Sequence, residues 1–518
     1  MNLKKYIVSF LAICSLLISC NLEEHPTFPS AESLFSTSAG ANTVLNGVFS
    51  DMKDYRSYGA IYYLLTGYGS GLFNTNKDDV LTTIAGFKPL SSEEVIEVFW
   101  RGSYMSIGRT NDLIDGLSSQ VIEDEKEKDN ILGQAYFLRA FCYFNLVRIY
   151  GGVPLITKVV TTSEMNYPRA TEEAIYDQII SDAEMAKQLL PKNGSNTPGR
   201  PASEAASMLL AKVYMQLAGN QTAGETDNWQ KAYNEAMEVY GKYSLVENYR
   251  SLWYEETGNN TSESIFEIQA NVENRLRLVQ IGTASNGLAG RNSWGRLKPN
   301  LECYDMHEER YPGDPRFEST FVTEYTQYNS NGTTTFRQTY PFFKNRNDKP
   351  RSYPWLFKYY IKNTTAPNCD TGQNWIAFRY AELLLMLAEI KNELSGPNDA
   401  YQYVNEVLAR ARNSAQTPTA EPADWSGMNQ EEFRDAIMFE YRYELLGEGQ
   451  DYFKVRRRGY EHFKKNVIEI HNSHPGYDFS KSRDILYPDN SRIMLMPISQ
   501  SEIIANPNIS IEDQNPGY

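Results

Sequence analysis

Three glutamates form the most conspicuous candidate for catalysis in this sequence. Glu440, Glu444 and Glu448 recur at four-residue intervals, which places them on one face of a predicted helix. A glycosidase uses two carboxylates about 5–10 Å apart as its acid and its nucleophile or base. Three acids with several arginines close by are more typical of a structural ion network. We therefore predict a structural role for the acids, with nearby arginines at Arg442, Arg456, Arg457 and Arg458.

Other signatures of enzymes and of metal sites are missing from the sequence. The five histidines include no HExxH motif and no close HxH pair. The glycine-rich run at 67–71 does not lead through a Lys-Ser or Lys-Thr step into a helix, so it is not a phosphate-binding loop. A G-x-S-x-G nucleophile elbow is also missing. The sequence thus predicts a non-catalytic protein with no cofactor and no metal.

Two stretches are better suited to binding a ligand. Sugars present flat C–H faces flanked by hydroxyls, so a sugar site combines aromatic platforms with Asn, Asp or Arg at its rim. Residues 55–79 and 286–300 both offer that mixture. Packing within the loops is the alternative role for their aromatic side chains. The candidate ligand contacts are Trp294, Tyr68, Arg291, Asn292, Phe73 and Asn74.

The first thirty residues predict export and lipidation. Lys4 and Lys5 precede an apolar run at 6–18, which is typical of a signal peptide and too short for a membrane-spanning helix. Leu-Ile-Ser-Cys at 17–20 is similar to a bacterial lipobox, in which the cysteine is diacylated and becomes the new N-terminus. We therefore predict a signal peptide over 1–19, lipidation of Cys20 and an acidic tether over 20–30. The acyl chains would anchor the protein to a membrane at about 0.8 kcal/mol per buried methylene.

The charge balance argues against nucleic acid as a partner. The 518 residues include 50 Lys and Arg against 65 Asp and Glu, a net charge of -15. Removal of residues 1–19 deletes two lysines and no acids, so 48 minus 65 leaves the mature chain near -17. A chain this acidic repels phosphate backbones.

Hydrophobic residues, at 41% of the chain, are sufficient for a large packed core. Most of the 36 tyrosines are expected to pack between helices. Cys142 lies in an apolar helical run and is predicted to be a buried thiol. Whether Cys303 and Cys369 form a disulfide stays open, because sequence spacing does not determine pairing.

Amphipathic helices dominate both ends of the chain. Apolar residues recur there at three- and four-residue steps, and glycine and proline end several of the segments. The predicted helices span residues 131–150, 173–190, 203–217, 229–240, 376–393, 397–412 and 431–446. Helices of this length joined by short turns resemble degenerate tetratricopeptide pairs, with an irregular helical bundle as the alternative.

The middle of the chain has a different composition. Residues 242–375 are rich in Asn, Gly, Tyr and Ser, with strand-like pieces at 264–269 and 337–343. Long irregular segments in compact proteins are usually functional or disordered, and the many aromatics favour order. We predict one body over 31–518, with a helical scaffold mainly at 31–241 and 376–518 and a binding region at 242–375.

Seven short motifs occur in order along the chain. They are W-x3-Y-x2-I-x3-N from 100, AYFLRA at 135–140 with YGGVPL at 150–155, RAT at 169–171, GRP at 199–201, RYAE at 379–382, PI at 497–498 and QNPGY at 514–518. In these motifs the chain resembles the SusD/RagB family of outer-membrane nutrient-binding lipoproteins. Tyr441 departs from the family pattern, in which an arginine is common. That difference is expected to change the details of one internal salt-bridge network.

The resemblance implies a mainly α fold, in which tetratricopeptide-like helix pairs form a right-handed superhelical scaffold and a loop-rich region contains short β-strands. It implies a lipid-anchored protein of the outer membrane that faces the cell exterior. Such a protein binds an oligosaccharide and delivers it to a SusC-like TonB-dependent transporter. The alternatives are peptide capture and a scaffold that gates the transporter without binding a solute.

Overall fold

Helices make up most of the structure, which is a computed structural model of the chain. It describes residues 34–518 apart from 76–81, 119, 121, 123, 162–164, 193, 195–196, 223, 271–275, 277–295, 329–330, 341–352, 359–371, 418 and 482–483. The predicted signal peptide, tether and lipidated Cys20 therefore lie outside the described residues. The predicted mainly α fold class is confirmed.

The first part of the chain contributes a series of helices to the scaffold, most of them long. In order they are α1 Ser38–Lys53, α2 Ile61–Gly69, α3 Thr82–Ala85, α4 Glu94–Ser118, α5 Glu125–Tyr150, α6 Glu172–Leu189, α7 Ser203–Ala218 and α8 Asn228–Met237. A π-helical turn at Tyr55–Gly59 separates α1 from α2.

Local sequence explains where these helices begin and end. The Asp124 carboxylate accepts hydrogen bonds from the backbone N–H groups of Lys126 and Glu127 at the start of α5. Gly151, with φ +72°, follows the end of the same helix in a conformation that glycine adopts without strain. The predicted segment 173–190 agrees with α6 to within one residue at each end.

The middle region, residues 242–375 and here called the insert, carries short elements. Its helices are α9 Glu255–Gly258, α10 Leu301–Arg310 and α11 Pro315–Thr320. The strands in the described part of the chain are β1 Phe73–Asn74, β2 Ser264–Ile268, β3 Lys298–Pro299, β4 Phe321–Val322, β5 Glu324–Tyr328, β6 Thr334–Gln338, β7 Trp355–Leu356 and β8 Trp375–Arg379. In the described residues they form antiparallel two-stranded ladders, which pair β1 with β3, β2 with β8, β4 with β7 and β5 with β6.

The last part of the chain completes the scaffold. Its helices are α12 Tyr380–Ser395, α13 Tyr401–Asn413, α14 Gln430–Leu445, α15 Asp451–Arg456, α16 Tyr460–Phe463, α17 Ile470–Ser473 and α18 Gln500–Ala505. Consecutive long helices pack on one another from α4 through α8, and α8 packs on α12, which in turn contacts α13 and α14. Stacking of sequence neighbours is typical of tetratricopeptide-like architecture.

Several side chains that the helices bury follow the apolar pattern of the sequence. Trp229, Ala232 and Ala236 all face the core from α8, at the three- and four-residue steps of a buried helix face. Cys142 is a buried free thiol on α5, and Tyr143 beside it is also buried.

One predicted helix begins too early. Residues 376–379 belong to strand β8, whose Phe378 pairs with Phe266 of β2, and the helix begins only at Tyr380. A strand partner more than 100 residues earlier in the chain decides this conformation. The local apolar pattern could not reveal that partner.

Candidate functional site

The three glutamates of the sequence analysis belong to a buried ion network. Glu440 and Glu444 on α14 are fully buried, and Glu448 follows the helix. The Nη1 atom of Arg316 lies 2.7 Å from Glu440 and 3.0 Å from Glu444. Arg379 contacts Glu444 at 2.8 Å and Glu448 at 2.7 Å. These paired, enclosed carboxylates have no access to a substrate, so the predicted structural role is confirmed for them.

This network fixes the insert on the scaffold. Burial raises the pKa of Glu444, but the guanidinium groups of Arg410, Arg379 and Arg316 outweigh it and lower that pKa to about 2. The carboxylate is therefore ionised at neutral pH, where loss of a cationic partner would leave a charge buried. The insert supplies Glu263, Asp314, Arg316 and Lys358, and the scaffold supplies Arg379, Arg410, Glu440, Glu444 and Glu448.

The expected arginine partners of these acids were wrong. Arg457 and Arg458 contact Glu389 on α12 instead. Helix α14 ends at Leu445, so Glu448 does not continue its helical face. The other two expected arginines contact backbone carbonyls. Arg442 donates to the carbonyl of Asn466, and Arg456 donates to those of Gly69 and Ile493.

Tyr441, where the family commonly has an arginine, takes part in the Glu389 group. Its hydroxyl donates to Glu389 at 3.0 Å, which adds a hydrogen bond without adding a charge. The departure thus affects the environment of Glu389 rather than the network around Glu444.

The two stretches predicted to bind ligand meet in one ladder. Phe73 pairs with Pro299 and Asn74 pairs with Lys298, so β1 of the first stretch lies antiparallel to β3 of the second. Because β1 and β3 are antiparallel, the chain leaves β1 and enters β3 at the same end of the ladder. Nothing in the sequence pattern of the two stretches predicts that they lie together.

Three of the predicted ligand contacts are buried at or near this ladder. Tyr68 is 0%, Phe73 1% and Asn74 3% exposed. Helix α2 is buried on all its faces, which explains the position of Tyr68. Packing is therefore the role that this structure gives the three side chains, and a ligand role for them would require exposed surface that they lack. Trp294, Arg291 and Asn292 lie outside the described residues, and their roles stay predictions.

Hydrogen bonds and aromatic rings surround the ladder. The side-chain amide of Asn74 donates to the Tyr353 hydroxyl at 2.7 Å, which donates to Asp484 at 2.8 Å. The ammonium of Lys298 lies 5.1 Å from the centre of the Trp355 ring. These contacts connect β1, β3 and β7 and so hold the ladder in place.

An exposed hairpin face, missed in the sequence analysis, offers a better surface for a ligand. Phe336 on β6 is 60% exposed and pairs with Thr326 on β5, while Glu324 pairs with Gln338. Paired residues share a face of a ladder, so these four exposed side chains point the same way. Tyr325, on the opposite face, packs against the aromatic cluster around Trp253 and Trp355.

This surface, which we call the hairpin face, consists of Glu324, Thr326, Phe336 and Gln338. It combines one aromatic ring with a carboxylate, an amide and a hydroxyl. The sequence signal that could have found it is the Asn331-Gly332 turn between two threonine-rich alternating segments.

Only one of the two cysteines left open by the sequence is described. Cys303 is a buried free thiol, and Cys369 lies outside the described residues. The Sγ of Cys303 lies 3.6 Å from the carbonyl oxygen of Leu72.

The described part of the chain contains neither a cluster of metal ligands nor a membrane-spanning helix. No group of three or more His, Cys, Asp or Glu side chains in it is placed to hold a metal ion. Among the helices described, none is both long enough and apolar enough to cross a membrane. Histidines there have protein partners: His471 contacts Glu302, and His307 contacts Asp314.

The fold defines a tetratricopeptide-like helical scaffold that carries a strand-bearing insert. A model described as the SusD family matches residues 208–518, more than half of the chain. A second, described as starch-binding associating with outer membrane, matches residues 70–215. The chain belongs to the SusD family.

Individual relatives agree with that assignment. SusD-like protein P2 of Formosa agariphila is 27% identical over the full length of both chains. A SusD homologue from Bacteroides thetaiotaomicron superposes with a TM-score of 0.78 at 22% identity, over 94% of this chain and 98% of that one. A laminarin binding SusD-like protein superposes with a TM-score of 0.67 at 23% identity, over 92% and 99% of the two chains. Both structural likenesses show the fold.

Proposed function

We propose that this protein captures oligosaccharide at the cell surface without catalysis and delivers it to a TonB-dependent outer-membrane transporter. The hairpin face carries the binding part of the proposal. Phe336 offers a flat apolar ring to the C–H face of a sugar, and the Glu324, Thr326 and Gln338 side chains offer hydrogen-bonding groups beside it. A SusD-like neighbour of the same fold binds laminarin by its name, which supports a glycan as the ligand class.

Anchoring and delivery extend the same proposal. Cys20 would carry the acyl chains that hold the body at the outer membrane, facing outward, and the association named in the family model supports that location. A stable complex with the transporter would bury on the order of 2,000 Å² or more, and the helical side of the scaffold is the expected docking surface. Co-purification of a transporter with tagged full chain from outer membranes tests this step, and recovery of the chain alone contradicts it.

The binding step is tested by titration. The full chain, purified in a non-ionic detergent, is titrated calorimetrically with β-glucan and α-glucan oligosaccharides and with peptides. We expect one glycan class to bind, and Phe336→Ala to raise its Kd at least about tenfold, which corresponds to 1.4 kcal/mol. Met165→Ala is the matched control, because Met165 is 61% exposed, much as Phe336 is, and lies outside the insert.

Each alternative predicts a different result. Heat with peptides and none with glycans would favour peptide capture, and no heat with either would favour a scaffold that binds no solute. Glycan binding that Phe336→Ala leaves unchanged would place the site away from the hairpin face. Trp294→Ala would then test the second candidate segment.

A further inference from the structure

A small cavity, partly open to solvent, lies in the helical scaffold and is lined by residues outside the insert. It measures about 20 Å³, and a cavity of roughly 10–15 Å³ or more can hold one water-sized particle. Helices α5 and α7 and the segment around α15 form its walls. The lining residues are Arg148, Lys212, Met215, Gln216, Gln450, Phe453, Lys454 and Arg457.

Four of the lining side chains are cations, and they outnumber the acids that contact them. Glu382 is shared by two of them, Lys212 and Lys454, the second at 2.9 Å. Glu389, which contacts Arg457, is shared with Arg458, a cation outside the cavity. No carboxylate within the described part of the chain pairs with Arg148. The cavity wall therefore carries an excess of positive charge.

Arg148 is held rigidly beside this cavity. Its guanidinium lies between two rings, 3.6 Å from the centre of Phe144 and 3.5 Å from that of Phe453. Its Nε donates to the Phe144 carbonyl and its Nη2 to the side-chain oxygen of Asn145. Both are neutral acceptors, so the charge itself has no neutralising partner among the described residues.

Arg457 supplies an unused donor. Its side chain is 6% exposed, and its Nη2 contacts Glu389. Within the described residues, its buried Nη1 has no hydrogen-bond acceptor. A buried donor left without an acceptor costs about 1–3 kcal/mol, more when the group is charged, so a partner at this position would be favourable.

The pKa shifts of two lining cations are those expected where nearby negative charge does not compensate for burial. Burial lowers the pKa of Lys212 to about 7, although the nearby Glu382 opposes the shift. Burial also lowers the pKa of Arg148 to about 10. An anion close to both groups would favour their charged forms.

We propose that this cavity binds one monovalent inorganic anion of about the size of chloride. The excess of cations selects a negative charge, the unused Nη1 of Arg457 supplies a donor, and the small volume favours an ion of about the size of chloride. The bound anion would join α5, α7 and the α15 segment through one shared partner. This site is independent of glycan capture at the hairpin face.

The test uses the full chain in non-ionic detergent and a chloride-free gluconate buffer. Chloride is titrated in while the ³⁵Cl NMR line width is followed, and a bromide-grown crystal is examined for an anomalous peak. We expect saturable broadening that bromide competes away, together with a bromide peak between Arg148 and Arg457. Broadening that does not saturate, or a bromide crystal without a peak in the cavity, would overturn the proposal.

Two variants and a control locate the effect. Arg148→Met removes a cation without leaving an acid unpaired, and Gln216→Glu keeps all four cations but adds a negative charge to the wall. Each is expected to raise the chloride Kd, read from the saturation of the broadening, at least about tenfold, which corresponds to 1.4 kcal/mol. Arg101→Met is the control. It changes an exposed arginine that pairs with Glu97 on α4, and it should leave the chloride Kd unchanged. A chloride Kd that both Arg148→Met and Gln216→Glu leave equal to that of the parent would contradict the assigned site.

Discussion

Replacement of Arg379 by methionine would test whether the ion network holds the insert on the scaffold. Arg379 donates hydrogen bonds to the carboxylates of Glu263, Glu444 and Glu448, at 2.7 to 2.9 Å, and to the Glu444 backbone carbonyl. Methionine fills a similar volume but carries no charge and no donor. The three carboxylates would remain buried with fewer cations around them.

The magnitude follows from the burial of these groups. Removal of one partner from a buried ion pair costs about 3–5 kcal/mol, because a charge is left uncompensated. At about 2.1 cal/mol/K per residue, the unfolding entropy of 518 residues is about 1 kcal/mol/K. Arg379→Met should therefore lower the melting temperature at pH 7 by about 3–5 °C.

The effect should depend on pH in a defined direction. The folded-state pKa of Glu444, about 2, lies below its ordinary value of 4.5, so the stabilisation from its ionised form is complete above pH 4.5 and is lost as the pH falls toward 2. Arg379→Met raises that folded-state pKa, so the variant has less of this stabilisation to lose. The difference in melting temperature should be largest near pH 7 and shrink between pH 4.5 and 2.

Differential scanning fluorimetry from pH 7 down to pH 3 measures this difference. Arg101→Met is the control, because its exposed pair with Glu97 should contribute less than about 1 kcal/mol. A variant that melts within about 1 °C of the parent at pH 7 would refute the structural role of the network. So would a difference that grows as the pH falls.

Two further predictions follow from burial. Phe73→Ala should lower the melting temperature by about 3–5 °C, because truncation of a buried phenylalanine costs about 3–5 kcal/mol; a shift as small as that of exposed Met165→Ala, measured by the same fluorimetry, would contradict its place in the core. Burial raises the pKa of Cys142 to about 12 and also raises that of Cys303, so iodoacetamide at pH 8 should leave both thiols unmodified in the native protein and alkylate both in urea. Peptide mass mapping would show this, and alkylation of either thiol without urea would contradict it.

The helices were predictable because the information that forms them is local. Helical periodicity and end signals, such as the Thr171 cap and the Leu190 boundary of α6, lie within the segment itself. Strand β8 was not predictable in this way, since its partner β2 lies more than 100 residues earlier. The acids of α14 were correctly identified as structural, but their partner Arg316 is 124 residues from Glu440. Sequence proximity therefore suggested the wrong arginines.

The ligand surface was harder to predict than the fold. Composition identified aromatic and amide side chains around Phe73. It could not show whether these side chains point to the core or to solvent, and the structure buries them. Phe336 lies in a short hairpin, where two alternating five-residue strands give only a weak signal. Its exposure depends on Tyr325 packing inward on the opposite face, a contact between segments that are distant in sequence.

The structure separates the groups that hold the insert from the groups proposed to contact a ligand. Arg316 and Glu444 are fully enclosed, so changes there act on stability by several kcal/mol. Phe336 and Thr326 project outward, and substitutions at exposed positions usually change stability by less than about 0.5 kcal/mol. Side chains of the hairpin face can therefore be exchanged without loosening the insert. Because the fold does not constrain these positions, the fold alone does not determine the ligand, which must be determined from the site itself.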